Sequence, residues 1–597
     1  MVRGTNGPDT IIGTADRDVV DGGPGADSIV TREEKDRIWG GAGYDWVSAG
    51  TGDDRVIVSG DGSRDSVDCG PGNDVVLADP ADNVRNCEVV SVLQGDRTPH
   101  INRVVTAIRN MEERTGSDSS EGILWNLTQG NALPALGTAN PEWITRTTDC
   151  WGVTTSCDSS RVQGQLTSTI RSIIGNARTL VDISSLSAVA DGGFRQAIID
   201  GAADAQRAGR RPLIRMMWGR QPLAPFDAPL RDLQRDVQAA APDLTVVASL
   251  MSNTLVLNGY SWNHSKIVAA DSRVAWAAGI NLWSRSYLQS TNPVTDLGVV
   301  VRGPAAADPS RFLDVLWTFT CENSGFGLRY NNTIIPAGGG PGGCPAKKAP
   351  APGGPEGDVT VLSLGRAGYI NTGKVTGRKD PGEVSRGDKY DSGCIIPPLP
   401  NPMNGNPRWD GNNPSDTALR ALVRSADSKV VITQQNLIFD CARDPSYDVR
   451  LLDAIAEQVR DGVKVTIVVS NKDAVIKALE EEYGGGADSS RAVVMKRLTK
   501  LMGSSSLAKE AACRSLTVAP FRFSSLTTWP GSNAPGLHSK VIAVDDQAVM
   551  VGSQNAYPNQ LQEFGYLIED SRAMADMKRL FLDPIESNAR AAALPCG

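Results

Sequence analysis

Histidine is rare in this chain of 597 residues, which contains only His100, His264 and His538. Among the residue types that are scarce here, histidine is the most informative about function. Long apolar runs are missing too: none approaches the ~18 residues of a membrane-spanning helix, so we expect no transmembrane segment. No CxxC pair or cluster of cysteine with histidine is present, which argues against a zinc site. The net charge of −8 argues against a broad nucleic-acid-binding face, because such a face is basic.

An amino-terminal export signal is also missing, since Met1-Val2-Arg3 leads into glycine-rich sequence rather than an apolar segment. Ten cysteines nevertheless predict up to five disulfides and a secreted, extracellular protein. Three explanations stay open: a signal trimmed from this sequence, a misplaced start site or another export signal. The predicted local disulfides are Cys69–Cys87, Cys150–Cys157 and Cys321–Cys344. The cysteines whose pairing stays open are Cys394, Cys441, Cys513 and Cys596.

An aspartate recurs every nine residues through the first part of the chain, with one slip of two residues before Asp65. Isoleucine or valine lies two positions after each aspartate, and glycines precede most copies. Glycine supplies turn dihedrals, the apolar residue stacks inside, and aspartate offers oxygen ligands to Ca²⁺. The pattern resembles the RTX nonapeptide repeat and predicts a parallel β-roll over residues 1–91. A flexible Asp/Gly-rich linker, the alternative, would not keep the apolar residue in phase.

The roll is expected to bind structural Ca²⁺. The predicted ligands are Asp9, Asp18, Asp27, Asp45, Asp54, Asp65 and Asp74. Asp36 is left out because Thr31-Arg32-Glu33-Glu34-Lys35 replaces the glycines before it.

Beyond about residue 97 the sequence alternates between helix-like and strand-like segments, which indicates an α/β fold. A Pro/Gly-rich stretch at 337–357 divides this region. We therefore predict two lobes, residues 92–345 and 346–597.

Two of the three histidines lie in nearly identical octapeptides, His264–Asp271 and His538–Asp545. In a strand, residues two apart face the same side, so each histidine should point with the lysine that follows it. Duplication about a pseudo-twofold axis would bring two histidines and two lysines into one pocket. Such a pocket suits a phosphodiester, because lysines neutralise the phosphate while one imidazole attacks phosphorus and the other protonates the leaving oxygen.

Each octapeptide is followed by an asparagine, in Ala278-Gly279-Ile280-Asn281 and Gly552-Ser553-Gln554-Asn555. The combination resembles the signature of the phospholipase D superfamily, H-x-K-x₄-D followed by G-[GS]-x-N, with Ala278 as the one departure. Over about residues 97–597 the chain resembles the secreted phospholipases D of Streptomyces-type actinobacteria. The segments that carry this are Asp149–Gly152, Ser261–His264, Gly279–Asn281, Asp296, Arg302–Ala306, Leu316–Cys321, Tyr447–Leu451 and Glu563–Tyr566.

The resemblance implies a duplicated two-lobe α/β sandwich, with the β-roll as an added module and no catalytic metal. It implies that His264 is the nucleophile, forming a phosphohistidine, and that His538 is the general acid and later the base. Asp296 and Glu563 occupy the positions of the carboxylates that hold the imidazoles, with Glu563 expected beside His538. The expected phosphate-binding residues are Lys266, Lys540, Asn281 and Asn555. The expected structural braces are Asp271 and Asp545.

Four aromatic residues near these motifs leave two alternatives open. Trp283 and Tyr287 either flank a choline-like cation or pack in the core, and the resemblance implies Tyr447 as a further candidate. Trp529 either dips into a lipid surface or packs. His100, which has no repeated neighbour, is expected to be structural.

The sequence as a whole predicts a secreted phospholipase D that releases the head group of glycerophospholipids, phosphatidylcholine first, and transfers phosphatidyl groups to alcohols. Its expected partners are a bilayer or micelle surface, the phospholipid and an alcohol acceptor, with no nucleic acid, and the enzyme is expected to be a monomer. The alternatives are another phosphodiesterase or phosphatidyltransferase of the superfamily, such as a nuclease or phosphatidylserine synthase, or a calcium-dependent surface-binding protein with an inactive enzyme domain.

Overall fold

The structure is a computed structural model, in which the chain forms two compact units, Met1–Thr106 and Ala107–Gly597. The residues it describes are 2–58, 63–79, 81–92, 98–114, 120–154, 158–219, 227–252, 262–290, 293–326, 331–337, 343–345, 348–368, 414–439, 446–472, 474–476, 481–482, 486–528, 534–557 and 561–595. Among the helices in these ranges, none has the length and apolar character needed to cross a membrane.

The first unit is a β-roll of short parallel strands that alternate between two sheets. Its strands are β1 (Val2–Arg3), β2 (Thr10–Ile12), β3 (Val19–Asp21), β4 (Ser28–Val30), β5 (Arg37–Trp39), β6 (Trp46–Ser48), β7 (Arg55–Ile57), β8 (Ser66–Asp68), β9 (Val75–Ala78), β10 (Asn83–Arg85) and β11 (Val89–Val92). The apolar residue of each repeat is buried between the sheets, as Val20, Val47 and Val76 illustrate. The predicted roll is therefore confirmed, because the nine-residue period puts an apolar side chain inside at every strand.

Helix α1 (Pro99–Arg114) follows the roll. The next elements are β12 (Trp125–Asn131), β13 (Ile144–Arg146), α2 (Ser160–Asn176), β14 (Leu180–Leu186), α3 (Gly192–Arg207), β15 (Leu213–Gly219), α4 (Asp227–Ala240), β16 (Thr245–Met251), β17 (Ile267–Ala270), β18 (Val274–Ala278), α5 (Ser284–Tyr287), β19 (Leu297–Arg302), α6 (Asp308–Glu322), β20 (Gly325–Phe326) and β21 (Asn331–Ile335).

The remaining elements begin after the Pro/Gly-rich stretch. They are β22 (Val359–Arg366), α7 (Pro414–Arg424), β23 (Lys429–Gln434), β24 (Ile438–Phe439), β25 (Ser446–Tyr447), α8 (Val449–Arg460), β26 (Lys464–Val469), β27 (Val475–Ile476), β28 (Glu481–Glu482), α9 (Gly486–Met502), α10 (Ser505–Ser515), β29 (Leu516–Pro520), β30 (Val541–Val544), β31 (Ala548–Gly552), β32 (Glu563–Glu569), α11 (Ser571–Met577) and α12 (Asp583–Arg590).

Two large mixed sheets organise the second unit. One has the order β13-β19-β18-β17-β14-β15-β16-β21-β20, and the other has the order β12-β22-β32-β31-β30-β23-β26-β29. Both contain the same six-strand core, in which an antiparallel hairpin and its neighbour lie beside three parallel strands. Buried side chains of the two sheets share one hydrophobic cluster, including Ala277 and Val551. The predicted duplicated α/β fold is confirmed.

Chain order and sheet membership differ at β12, which precedes the first sheet in sequence but pairs with β22 in the second. The lobe boundary at residue 345 therefore stays a proposal based on the linker sequence.

Two of the predicted disulfides are confirmed, Cys69–Cys87 and Cys321–Cys344. Cys150 and Cys513 are also disulfide-bonded. The cysteines that lie outside the described residues are Cys157, Cys394, Cys441 and Cys596.

Candidate active site

Each histidine motif leads into a β-hairpin whose turn carries the aspartate of the motif. Asp271 and Ser272 both have a φ of 56°, the left-handed region that aspartate tolerates better than most residues. The Asp271 carboxylate accepts hydrogen bonds from the backbone N–H groups of Arg178, Thr179 and Leu180, at 2.7–2.9 Å. It thereby ties the β17–β18 turn to the start of β14.

The second half repeats this arrangement, with Asp545 accepting from the N–H groups of Asp427, Ser428 and Lys429 at 2.7–2.8 Å. Both aspartates therefore hold backbone rather than the pocket, a geometry that fits the predicted braces.

Backbone hydrogen bonds bring the two motifs together. The N–H of His264 donates to the carbonyl of Gln562 at 2.9 Å, and the N–H of His538 donates to the carbonyl of Thr295 at 2.8 Å. Each of these acceptor residues immediately precedes the predicted carboxylate of its own half. These two backbone hydrogen bonds therefore place each carboxylate beside the histidine of the opposite half.

The histidine–carboxylate pairs are crossed between the halves. His264 Nδ1 lies 2.8 Å from Glu563 Oε2, and His538 Nδ1 lies 2.8 Å from Asp296 Oδ2. The expectation that Glu563 pairs with His538 is wrong, because the backbone bonds between the halves set the partners, not the order along the chain. Each imidazole keeps Nε2 for chemistry.

The two carboxylates are supported differently at the residue that follows each hairpin. Ser553 Oγ donates to Glu563 Oε2 at 2.5 Å. At the equivalent position, a Cβ on Gly279 would lie 2.4 Å from Asp296 Oδ1, so only glycine leaves room for that carboxylate. The hydrogen bond from Ser553 to Glu563 was not predicted from the sequence, although Ser553 belongs to the G-[GS]-x-N motif.

Ala278, the departure from the family signature, is accommodated by the neighbouring strand. It lies opposite Gly298, where an added Cβ would come within 2.6 Å of the Ala278 methyl group. The second half has Gly552 opposite Gly565. A small residue pair is kept in both halves, and no functional group is lost.

The two motif lysines are buried with the histidines. Lys266 and Lys540 each donate to the carbonyl of their own histidine at 2.5 Å. Burial lowers the pKa of both ammonium groups, for Lys540 to about 8, while Asp296 and Glu563 act in the opposite direction. The pocket thus concentrates positive charge that two carboxylates partly balance.

Asn281 and Asn555 contribute amides that are 1% exposed. Both side-chain atoms of Asn555, and Oδ1 of Asn281, have no hydrogen-bond partner within the described part of the chain. Buried polar groups are normally satisfied, so these amides favour a polar ligand, and the unsatisfied NH₂ group of Asn555 is a donor that suits a phosphate oxygen.

The two histidine–carboxylate pairs, His264 with Glu563 and His538 with Asp296, differ in the pKa values of their groups. Burial lowers the pKa of His264 to about 4 and holds the pKa of His538 well below its ordinary value, with both lysines adding to the effect. Burial also raises the pKa of Asp296 to about 7. Burial opposes ionisation of Glu563 as well, yet His264 and Arg366 together hold its pKa below its ordinary value. Glu563 is therefore the more firmly ionised carboxylate.

Two of the candidate aromatic residues lie in the interior. Trp283 is 1% exposed, and its indole N–H donates to the carbonyl of Ala188 at 2.8 Å, which favours the packing alternative. Tyr287 is also fully buried, but its hydroxyl lies 3.0 Å from His538 Nδ1 and contributes to the site.

The other two aromatic residues are not brought to the histidines by any described contact. The hydroxyl of Tyr447 accepts a hydrogen bond from Lys496 on α9 at 3.1 Å. Trp529 lies outside the described residues. His100 is buried on α1, as expected of a structural histidine.

The β-roll carries a ladder of aspartates. From Asp27 to Asp74, one oxygen of each repeat aspartate accepts from the backbone N–H of an aspartate two strands earlier, as Asp27 Oδ1 does from Asp9 at 2.8 Å. In Asp27, Asp36, Asp54 and Asp74 the second oxygen is buried and has no hydrogen-bond partner among the described residues. Burial raises the pKa of these carboxyl groups, for Asp54 to about 6. Unsatisfied hard oxygen atoms of this kind fit Ca²⁺.

The aspartates of the individual roll turns do not divide as the sequence predicts between calcium ligands and Asp36. Asp36, which the missing glycines set apart, accepts from the N–H of Asp18 at 2.7 Å and has the same arrangement as its neighbours. In Asp9, by contrast, Oδ2 is engaged by the N–H of Thr5 at 2.6 Å, and in Asp18 by the N–H of Thr14 at 2.6 Å.

Comparison with known proteins supports the two parts of this description. Residues 419–583 match a family described as cardiolipin synthase, PLD-like domain, and residues 3–33 and 30–61 match the RTX calcium-binding nonapeptide repeat. Among solved structures, the phosphatidylserine synthase of Haemophilus influenzae Rd KW20 aligns at 14% identity over 82% of this chain and 91% of its own, with a TM-score of 0.47. The phospholipase D family member Nuc of Salmonella typhimurium aligns at 16% identity over 30% of this chain and 90% of its own, with a TM-score of 0.20.

A relative of known activity extends the match to most of the chain. The phospholipase D of Streptomyces antibioticus is 34% identical over 523 residues, which cover 84% of this chain and 89% of the relative. Identity over this length, together with the paired motifs, is decisive: the chain belongs to the phospholipase D superfamily, is an enzyme of phospholipase D type, and carries RTX repeats at its amino terminus.

Proposed function

We propose that this enzyme cleaves the head-group phosphodiester of glycerophospholipids, with phosphatidylcholine as a principal substrate, and yields phosphatidic acid and the free alcohol. The observation that carries the proposal is the crossed pairing of His264 with Glu563 and of His538 with Asp296 in one buried pocket. Two imidazoles of this kind supply a nucleophile and a proton donor to the same phosphorus.

In the first step, Nε2 of His264 attacks phosphorus and the bond from phosphorus to the head-group oxygen breaks. The departing oxygen takes a proton from Nε2 of His538, which leaves a phosphatidyl group on His264. Glu563, hydrogen-bonded to the far nitrogen of His264, stabilises the positive charge that develops on the ring.

In the second step, His538 removes a proton from water, whose oxygen attacks phosphorus and breaks the bond to His264. Phosphatidic acid leaves and both histidines return to their starting state. An alcohol that takes the place of water would give a new phosphatidyl ester, which is the proposed transphosphatidylation.

Electrostatic stabilisation of the phosphate is assigned to Lys266 and Lys540, with hydrogen bonds from Asn281 and Asn555. Burial and the two positive lysines disfavour a protonated His538. A bound phosphodiester anion would offset these charges and favour the protonated form that the first step needs. Substrate binding would thus prepare the general acid.

The roll is proposed to bind Ca²⁺ as a structural ion, held by its aspartates together with backbone carbonyls. Ca²⁺ would neutralise carboxylates that otherwise repel one another, so that folding of the roll is coupled to binding. The disulfides support an extracellular location, where oxidising conditions and Ca²⁺ are both available. The proposed substrate surface is a phospholipid bilayer or micelle.

The test is head-group release from liposomes of defined composition, with and without ethanol. Wild-type enzyme should release choline from phosphatidylcholine liposomes and should form phosphatidylethanol when ethanol is present. His264→Ala and His538→Ala should each remove both products. With a nitrophenyl ester as substrate, whose leaving group needs no proton, a rapidly denatured His538→Ala sample should retain phosphatidyl label on His264.

The alternatives give different results. Cleavage of DNA in place of lipid would indicate a nuclease, and release only in the presence of a specific alcohol acceptor would indicate a dedicated phosphatidyltransferase. Binding to liposomes without turnover would indicate a surface-binding protein with an inactive enzyme domain. Label on His538 of a His264→Ala sample, with none on His264 in the reverse experiment, would reverse the two roles.

A further inference from the structure

A buried arginine stands directly behind the carboxylate that holds His264. Arg366 ends β22 and Glu563 begins β32, and the two residues are opposite each other in the antiparallel pair. Arg366 Nη1 lies 3.6 Å from Glu563 Oε1, while Oε2 of the same carboxylate faces His264. The exposed fractions of the two side chains are 3% and 0%, so water does not screen this interaction.

The guanidinium is fixed from its other side by Asp416, in the first turn of α7, which forms an ion pair with Nη2. Asp416 is itself 3% exposed. A buried arginine between two carboxylates has little freedom to move, because each lost partner would leave an uncompensated buried charge. Arg366 is thus a rigid positive charge on the side of Glu563 that faces away from the imidazole.

The other histidine has a different environment. Its carboxylate, Asp296, accepts the backbone N–H of Leu297 at 2.8 Å through Oδ1, and burial raises its pKa against the opposing charges of Lys540 and Lys266. Unlike Glu563, it has no arginine among the described groups that lower its pKa. A neutral backbone donor stabilises an anion less than a charge-assisted contact does. The two histidine–carboxylate pairs are therefore unequal, although the halves that carry them are duplicated.

We propose that Arg366 is a positioning residue that keeps Glu563 ionised and aims its Oε2 at Nδ1 of His264, so that the counter-charge of the ring is in place when Nε2 attacks phosphorus. The inference rests on the proposed function, in which His264 attacks phosphorus. Arg366 acts through Glu563 and does not touch the substrate.

The charged groups that face Glu563 come from several elements. His264 and Lys266 come from the segment before β17, Lys540 from the segment before β30, and Arg366 from β22. Ser553, the residue that follows β31, adds a neutral hydrogen bond. The pair of Glu563 and His264 takes up protons as one unit within this set. Loss of the Arg366 charge should make that uptake easier and move it to higher pH.

The first test compares Arg366→Met and Arg366→Lys with wild-type enzyme, on a short-chain phosphatidylcholine below its micelle concentration. Arg366→Met should lower kcat at least about tenfold with little change in KM. It should also raise the apparent pKa of the acidic side of the pH–rate profile by about one unit. Arg366→Lys should recover part of both. Arg215→Met is the matched control, since Arg215 is equally buried but pairs with Asp182 and Asp314.

The second test asks whether Arg366 acts through Glu563. In a Glu563→Gln background the carboxylate charge is already gone, so adding Arg366→Met should cost less than threefold further activity. If the activity loss of the double variant equals the product of the losses of the two single variants, the proposal is overturned. Arg366 would then contribute independently of Glu563. Thermal unfolding of each variant separates these effects from a loss of folded protein.

The third test needs no turnover and uses the scarcity of histidine. Full-length protein labelled with ¹⁵N-histidine has three imidazoles, which His→Gln variants assign. In Arg366→Met, and to a smaller extent in Arg366→Lys, the titration of the His264 ring should move to higher pH while that of His538 stays in place. An unmoved His264 titration would overturn the proposal even in an active enzyme. Wild-type protein that turns over no phosphodiester would contradict the proposed function alone.

Discussion

At the residue scale, the crossed carboxylates give the two histidines separate environments that mutation can distinguish. Glu563 lies beside the proposed nucleophile and Asp296 beside the proposed acid. Both carboxylates are buried, so an isosteric amide keeps the shape and removes the charge. The consequences should then appear in different steps of the reaction.

We predict that Glu563→Gln lowers the rate of phosphohistidine formation by about 10²–10⁴, because the imidazolium of His264 loses its counter-charge. Asp296→Asn should slow release of a poor leaving group more than that of nitrophenol, which needs no proton. Rapid-quench measurements with both leaving groups distinguish the steps. Ser553→Ala, which removes one neutral hydrogen bond, is the milder control. Equal dependence on the leaving group in both variants would contradict the assignment.

The buried lysine of the second motif, Lys540, predicts that activity falls at alkaline pH. Burial lowers the pKa of Lys540 to about 8, so raising the pH through 8 removes a positive charge that faces the phosphate. We expect kcat/KM to fall above about pH 8, measured on a monomeric substrate. Lys540→Arg, which stays charged, should move the limit upward in whatever activity remains. An unchanged limit in that variant would assign the limit to another group.

At the element scale, the hairpin turns explain the motif aspartates. Asp271 adopts a left-handed conformation and satisfies three N–H groups at the start of β14. Alanine would lose the hydrogen bonds and strain the turn, whereas asparagine tolerates the conformation and keeps an acceptor. The motif position therefore serves the hairpin that carries the catalytic pair.

We predict that Asp271→Ala destabilises the catalytic unit by about 2 kcal/mol and that Asp271→Asn costs less than half as much. Chemical denaturation followed by fluorescence measures both, and Asp545 offers the same comparison in the second half. Activity per folded molecule should change little. Lost activity with unchanged stability would mean that Asp271 acts in the pocket.

The roll predicts a calcium affinity that depends on pH. Burial raises the pKa of Asp54 to about 6, so protons compete with Ca²⁺ for its carboxylate as the pH falls through 6. Calorimetry in buffers of different ionisation enthalpy should show proton release on Ca²⁺ binding at pH 6 and little at pH 8. Asp54→Asn should reduce both the release and the number of ions bound. Equal proton release at both pH values would contradict this prediction.

At the scale of the whole molecule, the two compact units predict that calcium and catalysis can be separated. The roll contains its own hydrophobic core and the Cys69–Cys87 disulfide. Removing residues 1–91 keeps α1 intact and leaves eight cysteines, an even number.

We expect the shortened enzyme to fold and to hydrolyse a monomeric phosphodiester at the full-length rate, with or without chelator. In the full chain, chelator should reduce β-structure of the roll, as circular dichroism reports, without stopping hydrolysis. If the shortened enzyme loses activity in chelator as steeply as the full chain, the catalytic unit itself contains a metal site.

Features that depend on local spacing could be predicted before the structure was known. The nine-residue period predicted the roll, since each apolar residue falls inside a strand whatever surrounds the module. The repeated His264 and His538 octapeptides predicted the duplicated fold and the family, because motif and offset agree in both halves.

The way in which the two halves meet depends on contacts between residues far apart in the chain. Glu563 reaches His264 across 299 residues, through backbone bonds between the halves that no periodicity encodes. The same packing places Arg366 behind Glu563 and buries Trp283, which the sequence left undecided. Such contacts depend on which strands become neighbours in the sheets, and strand neighbours are chosen by the packing of the whole core rather than by residues adjacent in the chain.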